Sequence, residues 1–156
     1  MYRRILVAVD GSATSDKALQ EAISLARDGH AKLKVVYVID EVSIYSGAQF
    51  LAQSEIEASW VKAGHEILDK ARDAAKSEGI DAEVQLLETE NIGEGIADAI
   101  AEAAKSWSAD IVVAGTHGRK GLKHMLMGSV AEGIVRISPS PILLVHNRHA
   151  ETHATS

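Results

Sequence analysis

Short runs of consecutive apolar residues alternate along this chain with longer stretches in which apolar residues recur every three or four positions. The short runs are Ile5 to Val9, Leu33 to Ile39, Ala82 to Leu87, Ile111 to Ala114 and Ile142 to Val145. Each has the length and composition of a strand. The stretches between them have helical spacing. Thr14 to Arg27 carries Ala18, Leu19, Ala22, Ile23, Leu25 and Ala26. Ser54 to Lys76 places Ile56, Trp60, Ala63, Ile67 and Ala71 on one face. Ile92 to Lys105 forms the next helix, with Asn91 and Glu94 spaced as a capping box. Gly128 to Ile137 is a short last helix.

Strand-helix alternation predicts βαβ units: an α/β fold with a mostly parallel sheet and helices on both faces. The first, second and fourth runs are almost wholly apolar, as a sheet buried on both faces requires. The third mixes in Glu83 and Gln85, which suits an edge. The fifth, Ile142, Leu143, Leu144 and Val145, follows Pro141, and proline is tolerated at a strand start or on an edge. An apolar edge must be covered or it pairs with another chain, so a homodimer through this strand is expected. The alternative is that the strand is simply interior.

Composition narrows the class. At 156 residues the chain suits one domain with one core. A net charge of -6 disfavours sequence-independent contact with nucleic acid or an anionic membrane. The absence of cysteine excludes disulfides, thiolate catalysis and thiolate metal sites. Met1 to Arg4 superficially resembles the basic start of a signal peptide. The apolar run behind it ends at Asp10, short of the roughly 7–15 residues such a peptide needs. No segment approaches the roughly 18 apolar residues of a membrane span, and a cytoplasmic protein is expected. The domain is expected to occupy residues 1–146, with 147–156 a disordered tail. Residues 40–53 make a long connection that is a candidate loop over a site; its Tyr45 and Phe50 either cover a ligand or dock the loop.

Ligands of doubly wound sheets bind at the carboxyl ends of the strands, where strand order reverses. After the first strand comes Asp10-Gly11-Ser12. After the fourth comes Gly115-Thr116-His117-Gly118, then Gly121, then Gly128-Ser129 opening a helix. Glycines allow a backbone to approach a phosphate closely. The helix start offers free N–H groups and a favourable dipole. Arg119 and Lys120 stand beside the loop to offset phosphate charge. A plainer reading gives the glycines to turn shape, Ser129 to an N-cap and Asp10 to a turn cap. The full spacing after a buried strand favours a phosphate cradle.

Other chemistries lack their residues. There is no G-x4-G-K-S/T, no G-x-G-x-x-G after the first strand and no G-x-S-x-G. The patterns of ATP pyrophosphatases and nucleotidylyltransferases are absent too. A phosphorelay receiver needs an acidic pair after strand one and a lysine after strand five; here stand one acid and Asn147. His117, His124, His146, His149 and His153 have no H-E-x-x-H frame or carboxylate partner, so they read as solvated or loop histidines and no metal site is expected. Ser12 and Ser15 read as helix caps. No base is positioned by the sequence beside His117, which argues against efficient hydrolysis.

From residue 1 to about 146 the chain resembles the universal stress protein family. Arg4-Ile5-Leu6-Val7-Ala8-Val9-Asp10-Gly11-Ser12 is similar to that family's first strand and turn, and Val38-Ile39-Asp40 to the end of its second strand. Gly115-x2-Gly118-x9-Gly128-Ser129 resembles its ATP-binding signature, which some members lack. The resemblance implies a single doubly wound five-stranded sheet of order 3-2-1-4-5 and a dimer through the fifth strand. It implies ATP, with Mg²⁺ on the phosphates, as ligand. Ala8, Val9, Asp10 and Val38 would then meet the adenosine side. Ala114, Gly115, His117 and Gly118 would line the nucleotide, and Gly128, Ser129 and Val130 would hold the phosphates. Ala8 departs from the proline of some relatives, but a backbone contact there survives the change. The expected role is a regulatory, stress-response binding module read by an unidentified protein partner. The alternatives are a slow ATPase or phosphotransfer protein working through Ser129 or His117, and a nucleotide-free structural dimer.

Overall fold

Alternation within one strand builds two cores. Ile5, Val7 and Val9 are buried on one face of the sheet and Leu6 on the other, because successive strand side chains project to opposite sides. The computed structural model describes residues 1–40, 53–89, 95–117 and 127–147. In chain order these form β1 (Arg4–Ala8), α1 (Ala13–Gly29), β2 (Lys32–Ile39), α2 (Gln53–Ser77), β3 (Glu83–Glu88), α3 (Ile96–Ser106), β4 (Ile111–Gly115), α4 (Ser129–Ile137) and β5 (Ile142–Val145). All strand pairs are parallel and the order is β3-β2-β1-β4-β5. The fold is the expected α/β doubly wound sheet.

Helices α1 and α2 cover the first face, where Leu19, Ile23 and Leu68 pack on Ile5, Val7, Val35 and Val113. Helices α3 and α4 cover the second, where Ile100 and Ile134 pack on Leu6, Val36 and Val112. Burial on both faces explains why β1, β2 and β4 read as nearly continuous apolar runs. Strand β3 is an edge, as Glu83 and Gln85 suggested. Among the described residues strand β5 is the other edge and pairs in register with β4 alone, which goes against the interior reading of this strand. Its Ile142, Leu143 and Leu144 are only half-buried.

Helix α3 starts later than its periodicity suggested. Its N-cap is Gly95, in extended backbone, and the Gly95 N–H donates to Asp98 Oδ2 at 2.9 Å. The capping logic was sound but belongs to Gly95 and Asp98; Asn91 and Glu94 lie outside the described residues. The connection at 41–52, with Tyr45 and Phe50, and the tail beyond Asn147 also lie outside them.

The amino end of the sheet is closed by contacts distant in sequence. Asp110 accepts the backbone N–H groups of Arg3 and Arg4 at 2.8 and 2.9 Å. Those two bonds hold its carboxyl below the usual carboxylate range. Arg4 lays its guanidinium 4.2 Å from the centre of the Trp107 ring and donates Nε–H to the Trp107 carbonyl at 2.8 Å. Lys34, also near this ring, pairs with Glu83 at 3.0 Å.

Candidate functional site

The order reverses at β1, which lies between β2 and β4. The crevice of such a sheet opens at the carboxyl ends of these strands. The chain leaves β1 through a tightly bonded turn. Val9 N–H donates to the Val36 carbonyl at 2.9 Å. Gly11 has φ of 83°, a left-handed conformation that suits glycine. Asp10 Oδ1 accepts from Ser12 N–H at 2.9 Å, and Asp10 N–H donates to Ser15 Oγ at 3.0 Å. Ser15 N–H donates to Ser12 Oγ at 3.2 Å, which caps α1. Asp10, Ser12 and Ser15 therefore all serve the turn and the cap. The same bonds fix the Asp10 carboxylate at the crevice.

The turn after β4 is tied on both sides. Thr116 N–H donates to the Val145 carbonyl at 2.9 Å, and the Thr116 carbonyl accepts from Gly128 N–H at 2.6 Å. Gly128 is the N-cap of α4 and Ser129 its first helical residue, so Ser129 is not the N-cap. The Glu132 N–H donates to the Gly128 carbonyl at 3.0 Å, the first helical bond at this end. The N–H groups before it belong to the turn of a helix that has no intrahelical acceptors. Gly128 has no side chain with which to cap them. This leaves donors and the positive end of the dipole for an anion. Gly115 has an architectural role as well: a Cβ there would stand 2.9 Å from Thr14 Cγ2.

Four of the expected site residues come together. Ala8, Val38, Ala114 and Val130 all belong to the apolar cluster on the α3/α4 face. Ala8, Val38 and Val130 are partly open there. Val9 points its side chain into the opposite core, so only its backbone is available to the crevice. His117 is half-buried and Ser129 exposed. Gly118, with Arg119, Lys120, Gly121 and His124, lies outside the described residues. One residue escaped the sequence reading: Thr116, buried at 7% exposure, whose Oγ1 makes no hydrogen bond among the described residues. The strand alternation that puts Ala114 on the α3/α4 face was the signal that points to it.

Apolar walls, a fixed carboxylate, a free helix start and a buried hydroxyl suit a ligand with a flat organic part and an anionic part. Among the described residues no group of three or more His, Asp or Glu is arranged to hold a metal ion. No helix among them is long and apolar enough to cross a membrane.

Sheet order defines a doubly wound α/β protein, a class whose ligands bind at the topological switch point. The model of the universal stress protein family matches residues 1–146, and the chain belongs to this family. The universal stress protein YxiE of Bacillus subtilis is 33% identical over 152 residues, covering 93% of this chain and 99% of YxiE. A universal stress protein solved in complex with cAMP is 28% identical, with a TM-score of 0.65 over 93% of this chain and 97% of that one. The universal stress protein from Archaeoglobus fulgidus solved in complex with dAMP is 25% identical, with a TM-score of 0.64 over 92% of this chain and 98% of that one.

Proposed function

We propose that this chain binds an adenine nucleotide, ATP with Mg²⁺ carried on its phosphates, between the turns after β1 and β4, and acts as a cytoplasmic regulatory module of the stress response. The observation that carries the reading is the start of α4, where Gly128 leaves the first-turn N–H groups uncapped beside the partly open Ala8, Val38 and Val130. Asp10 and Val38, with the backbone at Ala8 and Val9, would meet the adenosine. Ala114, Gly115, His117 and Gly118 would line the nucleotide. Gly128, Ser129 and Val130 would hold the phosphates. The two relatives bound to cAMP and dAMP support an adenine nucleotide, since both ligands contain adenine and a phosphate.

Binding is favoured over turnover. Among the described residues no carboxylate hydrogen-bonds to His117 or Ser129, so neither is set up as a base or nucleophile. Nucleotide would therefore act by favouring one state of the chain that a protein partner reads. The edge strand β5 supports a homodimer: Ile142, Leu143 and Leu144 are half-buried, and α4 leaves Val135 and Ile137 exposed at 50% and 40%. Apolar edges of this kind pair with a second copy.

Gly128→Val tests the site. A branched side chain at the N-cap shields the first-turn donors, and affinity for ATP is expected to fall more than tenfold in calorimetric titration while circular dichroism stays native. Native affinity in the folded variant would refute the site. Leu143→Lys tests the edge: light scattering is expected to give a monomer, and an unaltered dimer would exclude β5 from the interface.

A further inference from the structure

The side chain of Thr116 is buried at 7% exposure, yet its hydroxyl has no hydrogen-bond partner among the described residues. A hydroxyl shut away from water without a partner is unfavourable, and a residue of valine's shape would fill the same space without that cost. The backbone on either side is already committed. The Thr116 N–H is bound to the Val145 carbonyl, and its carbonyl to the Gly128 N–H, at 2.9 and 2.6 Å. The hydroxyl is thus the one polar group of this residue still free to bond, and the two backbone bonds fix where it stands.

Its position follows from strand parity. Ile111 and Val113 belong to the α1/α2 core, whereas Val112 and Ala114 belong to the α3/α4 core. Thr116 stands one residue past β4, and the same alternation carried one step further assigns it to the second series, with Ala8, Val38 and Val130. Its carbonyl is bonded to the N-cap of α4, a helix of 9 residues. Through its carbonyl, Thr116 is therefore joined to the end of a helix that favours an anion. A hydroxyl can donate its proton to an anionic oxygen and adds no charge of its own.

We propose that Thr116 is a further ligand-binding residue of this site, its hydroxyl donating a hydrogen bond to a phosphoryl oxygen. The proposal rests on the nucleotide reading above. It names a donor that is not one of the motif's fixed positions, and one that senses the phosphate and not the nucleoside.

The test compares wild type with Thr116→Val, Thr116→Ala and Thr116→Ser by calorimetric titration with ATP and Mg²⁺ and, separately, with adenosine. Loss of a hydrogen bond to a charged oxygen is expected to weaken ATP about tenfold in the valine and alanine variants. The serine variant, which keeps the hydroxyl, is expected to stay within about twofold of wild type, and adenosine affinity to be unchanged throughout. Thermal unfolding of nucleotide-free Thr116→Val is expected at or above the wild-type temperature, because the variant removes an unpaired buried hydroxyl. ATP affinity unchanged in the valine and alanine variants would overturn the proposal while leaving the nucleotide site standing. So would an equal loss for ATP and adenosine, or a lower unfolding temperature for nucleotide-free Thr116→Val. A wild-type protein that binds neither ATP nor adenosine would overturn the nucleotide reading itself, and this inference with it.

Discussion

The two ends of the sheet are finished in opposite ways. At the amino end Asp110 takes the backbone donors of Arg3 and Arg4, and Arg4 stacks on Trp107 while bonding its carbonyl. Ser140 Oγ donates to the Ala109 carbonyl at 2.7 Å in the same region. Polar groups there find partners within the protein. At the carboxyl end the turn after β1 is equally well bonded, and after β4 the backbone of Thr116 is bonded on both sides. Yet Gly128 has no side chain to cap the helix donors, and among the described residues Thr116 keeps a buried hydroxyl without a partner. A parallel sheet has the same backbone chemistry at both ends, so the difference lies in the side chains placed there. Contacts at the amino end stabilise the fold, whereas the groups at the carboxyl end are the ones the proposed nucleotide site would use.

This contrast can be broken by substitution. The largest effect is expected from Trp107→Ala, which removes a half-buried ring from the α3/α4 core and the stack under Arg4. A loss of about 3 kcal/mol in urea unfolding is predicted, with ATP affinity unchanged because the ring lies at the far end of the sheet. A changed affinity would show that the two ends are coupled. Gly115→Ala comes next. Its Cβ would stand 2.9 Å from Thr14 Cγ2, and relieving that overlap is expected to cost about 2 kcal/mol and to weaken ATP as the turn moves. Ser12→Ala removes the side-chain cap of α1 and is expected to cost about 1 kcal/mol by the same measurement.

The smallest effect is expected at Asp110. Its folded-state pKa is depressed by the backbone donors of Arg3 and Arg4, so the unfolded chain takes up the proton first as pH falls. The stability this group contributes is present above the usual carboxylate range and is lost as pH falls through that range to the folded pKa. Asp110→Asn is therefore expected to flatten the acid limb of a plot of stability against pH and to leave ATP binding unchanged. An identical acid limb in the variant would contradict the assignment.

The strands were legible because burial on both faces leaves a nearly continuous apolar run, and Glu83 and Gln85 marked β3 as an edge. The start of α3 was misplaced because two sets of residues have capping spacing, Asn91 with Glu94 and Gly95 with Asp98. Local pattern does not choose between them; the structure uses the second. Ser129 looked like an N-cap by residue type, but the cap is one residue earlier, at Gly128, and Ser129 is the first helical residue. The glycine spacing drew attention to Gly115 and Gly128 and away from Thr116 between them, whose interest appears only once its burial and missing partner are known. The amino-end cluster was not legible at all. Arg4 and Trp107 are 103 residues apart in sequence, and no local periodicity brings them together.

The central claim is that the carboxyl-end crevice holds an adenine nucleotide without turning it over. Titrating the purified protein with ATP and Mg²⁺ in a calorimeter, and assaying the same sample for released ADP, tests it most directly. The account predicts saturable binding, one nucleotide per chain, with no steady release of ADP. Absence of binding would contradict it outright and leave the glycine turn a purely structural feature; steady ADP release would contradict the binding-module reading and make His117 and Ser129 the groups to examine.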